Sequence, residues 1–461
     1  MPSFFEGPGG RIRTSVGKSQ QIYSLPQLAT LVPLVVLVNY IKLSVIKLTM
    51  LKRFIATWLP SADLRRLVIA RGLRSVAQGY IMVVFAIYLS QIGFSPWLIG
   101  LTIGIGSIVS AILTLMSGIL SDRIGRKPFL IAYGILLAFS GFIFGITTVP
   151  VILIVTSAFG GIGRSGGAGG QAGPFAPAET AILSEKTTVA TRPKVFAVNN
   201  VVGTAATAIG SILAGLPELI SQVFHISIFR SYQPLFLAIG VIGIITFIIL
   251  LPITEAGRPE TKKIDPPEQK KRNNFDRIWK FSVAGLINGF GLGFIGGILP
   301  YWLYLRFGVS PAAIGPVIGI GSLLTAFFSL GAVPLSRRFG DINVISGSRV
   351  AAAVFTFSLA FAPTYPIAAL LVILRMSSAM SAMPIRQSYT MGIIDADVRG
   401  TAAGIGGVSR RLPAAVSPVI TGYWLNMSEL ELPFFASALF MGANAVLYFF
   451  WFHKIKPEDT I

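Results

Sequence analysis

The feature that most constrains this chain is its succession of long apolar stretches separated by short charged loops. A helix needs ~20 apolar residues to cross the hydrocarbon of a bilayer. Continuous apolar runs also differ from the alternating pattern of a membrane β-barrel strand. The sequence therefore predicts an all-α polytopic membrane protein. We place its twelve transmembrane helices at residues 67–92, 97–119, 128–147, 151–174, 195–216, 234–253, 281–304, 311–334, 346–362, 366–390, 401–424 and 433–453.

The composition of the chain excludes several classes of function. Charged residues make up 12% of the chain, against the ~25% usual in soluble domains. The net charge of +20 would suggest nucleic acid in a soluble protein, but in a membrane protein cations collect on one face. The sequence has no cysteine and only two histidines, His225 and His453, and it contains no Gly-rich phosphate loop. We therefore predict no enzyme activity, no cofactor, no metal site and no nucleic-acid partner.

The distribution of Lys and Arg predicts the orientation in the membrane. With residue 60 placed inside, almost all basic loop residues fall on the inner side, and the outer loops keep only Arg230 and Arg306. The positive-inside rule then predicts that both termini lie in the cytoplasm. We expect a multi-pass protein of the plasma membrane.

The N-terminal residues differ from the rest. Residues 1–27 are polar and irregular in pattern, and the apolar run at 28–41 is too short to span a bilayer. Three interpretations stay open: a signal peptide without a clear cleavage site, a helix lying on the membrane surface, or a natural start at Met50. We expect residues 1–63 to be an extension outside the membrane-spanning fold.

The chain also repeats itself. GFSPWLIG at 93–100 recurs as GVSPAAIG at 308–315, and LSDRIGR at 120–126 recurs as LSRRFGD at 335–341 at the same offset. Later in the halves, Pro177 matches Pro384 at a slightly smaller offset. This pattern predicts two six-helix bundles, 64–254 and 281–453, joined by a cytoplasmic linker at 255–280 and followed by a tail at 454–461.

The segment 118–127, GILSDRIGRK, packs four charges into a tight loop between two apolar runs. It resembles the signature loop of the major facilitator superfamily (MFS), G-x-L-a-D-r-x-G-r-k. The resemblance implies the MFS fold, alternating access, and a cytoplasmic gate loop that latches the inner side. Asp122 is expected to accept from a neighbouring helix N-terminus. The gate-loop residues are Gly118, Asp122, Arg123, Gly125, Arg126 and Lys127, with Arg337, Arg338, Gly340 and Asp341 in the second copy, where the acid is displaced.

Charged side chains within the spans are the candidate transport residues, because a charge at mid-membrane is costly unless it is paired, faces a cavity or is functional. Arg164 matches the Arg of a loose fourth-span motif that the family ties to ion coupling, although the expected Gln is missing. The alternative is an Arg that pairs with carbonyls or reaches water. The candidates for substrate or ion coupling are Arg74, Gln78, Arg164, Glu179, Asn288, Arg375, Arg386, Gln387 and Arg410.

Glu179, which follows the fourth span, is the one carboxylate that we predict to be embedded in the membrane, and it is equivalent to Arg386 in the repeat. We hypothesise that the two form an ion pair at an inner gate. The alternative is two separate charges near the membrane interface. Arg71 and Arg411 are expected simply to reach the inner headgroups.

These patterns predict a monomeric secondary transporter of small solutes. One hypothesis is proton-coupled efflux of organic compounds. Another is uptake or exchange of an organic anion, because arginines outnumber acids in the spans. A transporter-like membrane sensor is the third. The fifth span holds Gly203, Gly210 and Gly215 without the Gly-Pro typical of drug antiporters, which weakens a multidrug assignment.

Overall fold

The computed structural model describes residues 6–7, 11–16, 19–24, 59–160, 175–188, 191–255, 268–393, 399–453 and 455. The chain divides into two compact units, Met1–Ser61 and Ala62–Ile461. In the first unit, an antiparallel sheet is formed by β1 (Glu6–Gly7), β2 (Arg11–Val16) and β3 (Ser19–Ser24) in that order. The apolar run at 28–41 and Met50 lie outside the described residues.

The second unit is built from helices, as predicted. They are α1 (Ala62–Gln91), α2 (Pro96–Ile124), α3 (Lys127–Ile146), α4 (Pro150–Gly160), α5 (Phe175–Glu185), α6 (Arg192–Ile212), α7 (Leu216–Phe224), α8 (Ile228–Leu250), α9 (Glu268–Gly296), α10 (Leu299–Phe307), α11 (Pro311–Phe339), α12 (Asp341–Ala360), α13 (Tyr365–Ser381), α14 (Met383–Ile393), α15 (Arg399–Asn426) and α16 (Leu432–Phe452).

Ten helical stretches in the described part of the chain are long and apolar enough to cross a membrane. The fourth predicted span begins as α4, and its remainder at 161–174 lies outside the described residues. The eleventh coincides with α15, which has the length of a span but contains Arg410 and Arg411. The polytopic helical architecture is therefore confirmed, while the count of twelve stays a prediction.

The sequence repeat is also a repeat of backbone geometry. Ser95 and Ser310 precede α2 and α11 in the same extended conformation, each followed by a proline in the first helical turn. Proline suits that position because its missing N–H has no intrahelical partner there. The later loops both turn at a glycine with positive φ, Gly125 at 110° and Gly340 at 87°.

Helix packing follows the same twofold pattern. In the first half α1 packs along α6 and α3 along α8; in the second half α9 packs along α15 and α12 along α16. The halves meet through α2 against α15 and α6 against α11. These two contacts are equivalent under the repeat, as expected for two bundles related by a pseudo-twofold axis.

In the described part of the chain, the two halves touch closely at one end of these helix pairs and not at the other. We call the end where they touch the closed end; it contains the starts of α2 and α11. There, a Cβ atom built on Gly100 would overlap the carbonyl oxygen of Pro418, and one on Gly315 would overlap that of Ser211. The largest cluster of buried apolar residues also lies at this end and includes side chains of both halves, among them Tyr88 and Trp302.

At the other end, which carries the loops at 118–127 and 335–341, the same helices diverge. We call it the open end. A Cβ atom on Gly118 of α2, Gly404 of α15 or Gly331 of α11 would meet none of the described atoms within 4 Å. The buried apolar cluster near this end, which includes Ile345 and Tyr389, belongs to the second half alone. The two bundles therefore form a V that is open on the side of the charged loops.

Candidate functional site

A buried ionic cluster centred on Glu179 lies within the first bundle. Glu179 of α5 is only 2% exposed. Its Oε1 atom accepts from Arg71 Nη1 at 3.1 Å and from Asn199 Nδ2 at 2.8 Å. Its Oε2 atom accepts from Arg74 Nη2. Both carboxylate oxygens are thus occupied by donors from α1 and α6.

The local sequence explains how α1 supplies two arginines. Arg71 and Arg74 are three residues apart, so they share one face of the helix. Both are buried against Glu179, and Gln78 lies half-buried one turn further on. Two guanidinium groups against one carboxylate leave a local charge of about +1, and in a low-dielectric interior such a group is stable only while its partners stay together.

The described arrangement, in which the halves diverge at the open end, does not bring Glu179 together with Arg386, so the inner-gate pair stays a hypothesis. In the described part of the chain Arg386 forms no ion pair, and its Nη2 atom lies 3.7 Å from Met383 Sδ. Glu179 is instead held inside its own half. The reason is geometric: the halves diverge at the open end, whereas α1 places both arginines beside α5. The prediction that Arg71 reaches the headgroups is wrong, since Arg71 is 3% exposed.

Among its described residues, the second bundle holds a group of arginines that form no ion pair with a carboxylate. Arg349 of α12 is 8% exposed, and its Nη1 atom donates to Asn288 Oδ1 on α9. Arg386 lies on α14, which packs against α12. Arg410 of α15 lies beside Asn288, since a Cβ atom built on the adjacent Gly289 would overlap the Arg410 carbonyl oxygen. Tyr448 is buried on α16, the helix that packs along α12.

Arg349 was missed as a site residue, because its place near a loop put it among the basic residues of the inner side. Asn288, which was predicted as a residue for substrate or ion coupling, accepts the hydrogen bond from Arg349. The sequence does indicate that Arg349 lies well inside a helix and away from the loop. Arg349 comes eight residues after Asp341, the first residue of α12, which is too deep to be a loop residue.

The remaining predicted site residues fall outside both groups. Arg375 is 5% exposed, and its Nε atom donates to Thr356 Oγ1 at 3.2 Å. Gln387 is exposed on α14 beside Arg386. Arg164 lies outside the described residues.

The gate loop is fastened mainly within the first half. Arg126 Nη1 forms an ion pair with Glu185 Oε1 at the end of α5. The Lys127 N–H, at the start of α3, donates to Glu255 Oε1. The acid that caps this helix in the described structure is therefore Glu255. The side chains of Asp122 and Arg123 lie outside the described residues, so the predicted capping role of Asp122 stays a prediction.

A further ion pair joins the same end of the bundle. Lys186 Nζ lies 3.0 Å from Asp63 Oδ2 at the start of α1, and Thr254 Oγ1 donates to the same carboxylate oxygen at 3.0 Å. In the second copy of the loop, Arg337 and Arg338 are exposed and Asp341 occupies the first turn of α12. No group of three or more His, Asp or Glu among the described residues could hold a metal ion.

Comparison with known proteins covers most of the chain. The family model described as Major Facilitator Superfamily matches residues 67–282 and 281–460. The uncharacterized membrane protein YJR124C of Saccharomyces cerevisiae is 21% identical over 84% of this chain and 93% of its own length. Multidrug resistance protein 1 of Bacillus subtilis is 23% identical over 81% of this chain and 92% of its own length.

Among solved structures, a bacterial homolog of the human lysosomal transporter Spinster, in an inward-facing and occupied conformation, superimposes with a TM-score of 0.66. The match covers 84% of this chain and 95% of the other at 15% identity. At that identity the likeness shows the fold alone.

Proposed function

The chain belongs to the major facilitator superfamily. We propose that it exports small organic compounds across the plasma membrane by alternating access. The export is driven by protons that enter through Glu179. The V-shaped arrangement of the bundles supports an inward-open state, with the charged loops and both termini in the cytoplasm. The charge asymmetry of the loops supports that orientation.

The observation that supports proton coupling most is the buried Glu179 cluster. Glu179 is the only acidic residue among the buried polar side chains of the described structure. A carboxylate can take up and release a proton, whereas Arg stays charged. Protonation would remove the charge that holds Arg71 and Arg74 and would loosen α5 from α1. Glu179 is therefore the group through which proton binding would change the packing of the bundle.

The direction of transport is supported by a relative. The Bacillus subtilis protein is named for multidrug resistance, and export is the transport direction that resistance requires. The resemblance does not extend to an identified compound, since the identity is 23%.

Exchange or uptake of an organic anion is the second candidate. Four arginines, but only one acid, are buried in the described part of the helical unit: Arg71, Arg74, Arg349, Arg375 and Glu179. An excess of buried positive charge attracts anions in a low-dielectric cavity.

Flux into reconstituted liposomes tests the proposal. Wild-type protein, Glu179→Gln and the control Glu429→Gln, which changes an exposed acid at the closed end, would be assayed with ethidium as the cation and carboxyfluorescein as the anion. We expect flux driven by a pH gradient in the wild type and the control, and none above protein-free liposomes in Glu179→Gln. Gradient-driven flux that survives in Glu179→Gln would contradict coupling through this residue. Flux of the anion that ignores the gradient would favour exchange.

A further inference from the structure

The two halves differ in how they balance charge at equivalent positions. Glu179 and Arg386 correspond in the sequence repeat. Around Glu179, one carboxylate offsets Arg71 and Arg74. The second bundle carries Arg386 on α14, which packs against the helix of Arg349, and it carries Arg410 next to Asn288. In the described residues, the second bundle thus has the arginines of such a cluster without a carboxylate paired to them.

We call Arg349, Arg386 and Arg410 the arginine triad. In the described part of the chain, none of the three has a carboxylate within ion-pair distance, and Arg349 is bound only through the neutral side chain of Asn288. Arg349 is 8% exposed, so water screens its charge little. A buried positive charge without a counter-ion is costly. An anion that bound here would remove much of that cost.

The triad is reachable from the open end. Arg386 and Arg410 are half-buried, so part of each side chain contacts solvent. Arg410 follows Gly404, Gly406 and Gly407 on α15, and a Cβ atom on any of these glycines would meet none of the described atoms within 4 Å. Arg349 lies behind the two accessible arginines, within the bundle.

We infer that the arginine triad binds the acidic group of the transported compound, and that this group carries two negative charges, as a phosphate monoester or a pair of carboxylates does. Guanidinium groups suit such oxyanions because their planar N–H donors match the spacing of two oxygens. A dianion would reduce the triad's charge from about +3 to about +1, which is the charge left around Glu179. The inference rests on the proposed transport function.

The phosphate of an anionic lipid shares this chemistry. We commit to a soluble compound, because Arg349 is buried inside the bundle and not on its lipid-facing surface. The two sources are distinguished by the lipid composition of the sample.

The test is calorimetric binding of phenyl phosphate to purified protein in phosphatidylcholine nanodiscs, with neutral benzyl alcohol as the comparison ligand. We expect the wild type to bind phenyl phosphate and not benzyl alcohol. Arg386→Gln and Arg410→Gln should each weaken binding by about tenfold or more, as expected when a charged hydrogen-bond donor is lost. Arg306→Gln is the matched control, since Arg306 is exposed and pairs with Glu431 at the closed end; its affinity should equal that of the wild type.

The variant Arg386→Glu distinguishes loss of the binding site from misfolding of the protein. It places a carboxylate beside Arg349 and Arg410, as Glu179 lies beside Arg71 and Arg74. We expect it to raise the thermal unfolding temperature of the ligand-free protein and to abolish stabilisation by phenyl phosphate. A fall in unfolding temperature together with retained stabilisation would overturn the inference.

Three results would contradict the soluble-anion site: no binding of phenyl phosphate to the wild type, equal binding by all variants, or stabilisation that needs phosphatidylglycerol in the nanodisc and depends on Arg386 and Arg410. The binding assay involves no flux. Flux without anion binding would leave the proposed function standing and overturn this inference. If the protein binds the anion but transports neither compound in liposomes, the proposed function is overturned and the anion-binding site stands.

Discussion

At the scale of single residues, the proposed function depends on which charged side chains form ion pairs with each other. The sequence identifies Arg74, Glu179 and Arg386 as buried or embedded charges, because hydropathy alone marks a charge inside an apolar run. It does not identify which of them meet. The ion pair of Glu179 with Arg71 and Arg74 forms within one bundle, and its geometry depends on how α1, α5 and α6 are rotated. That rotation is a property of packing and cannot be read from periodicity.

The buried pair should couple far more strongly than an exposed one. In a double-mutant cycle with Arg74→Gln and Glu179→Gln, we expect a coupling free energy above about 2 kcal/mol, because both side chains are buried and water screens their attraction little. The matched cycle uses Arg306→Gln and Glu431→Gln, an exposed pair at 3.3 Å, and should give below about 1 kcal/mol. The measurement is the free energy of unfolding in detergent. Similar coupling in both cycles would show that the Glu179 pair is not desolvated as described.

At the scale of elements, the repeat made the strongest prediction. Two copies of a Gly-x-Ser-Pro turn predicted two equivalent helix starts, and Ser95 and Ser310 have matching conformations. The partners of the gate loop could not be predicted in the same way. Glu185 and Glu255 lie far from the loop in sequence, and only the folded bundle brings them to Arg126 and Lys127.

The turn at Gly125 should be intolerant of any side chain. Its φ of 110° and ψ of 159° lie in a region that is almost exclusive to glycine, and a Cβ atom would lie 2.9 Å from Glu255 Oε2. We expect Gly125→Ala to destabilise the protein by about 1–3 kcal/mol.

Gly118→Ala is the internal control for that substitution. Gly118 lies within α2, and a Cβ atom there meets no described atom within 4 Å. Alanine should stabilise the helix by about 0.5–1 kcal/mol. Thermal unfolding of both variants should therefore shift in opposite directions. Shifts of the same sign would mean that the turn at Gly125 is not as described.

At the scale of the whole molecule, the sequence predicted two bundles and their equivalence, and the packing of α2 on α15 and α6 on α11 agrees with it. It could not predict which end is open. That choice reflects a small free-energy difference between two arrangements of the same bundles, and hydropathy is the same in both.

The orientation in the membrane is open to a direct test, because the chain has no cysteine. Single cysteines at Arg230 and Glu429, which flank the closed end, should react with a membrane-impermeant maleimide added to intact cells. A cysteine at the exposed Arg337 of the open end should react only after the cells are permeabilised. The reverse pattern of labelling would place the charged loops outside the cell.

Alternating access requires that the two ends of the bundles close in turn. Distances between spin labels at each end would show whether they do. One pair of labels at Met116 and Ile405 reports the open end, and a second at Leu219 and Leu305 reports the closed end; all four side chains are exposed. Gly315→Ala should disfavour the described state, because its Cβ atom would overlap the Ser211 carbonyl oxygen, whereas Gly331→Ala adds a methyl group in open space.

We predict that Gly315→Ala shortens the distance between the labels at 116 and 405 and lengthens the distance between those at 219 and 305, while Gly331→Ala leaves both distributions unchanged. Pulsed electron–electron double resonance on protein in nanodiscs would measure both distances without either substitution and in each of the two variants. If both distances lengthened together, or if neither moved, the two bundles would not exchange closure between their ends, and the account would be wrong.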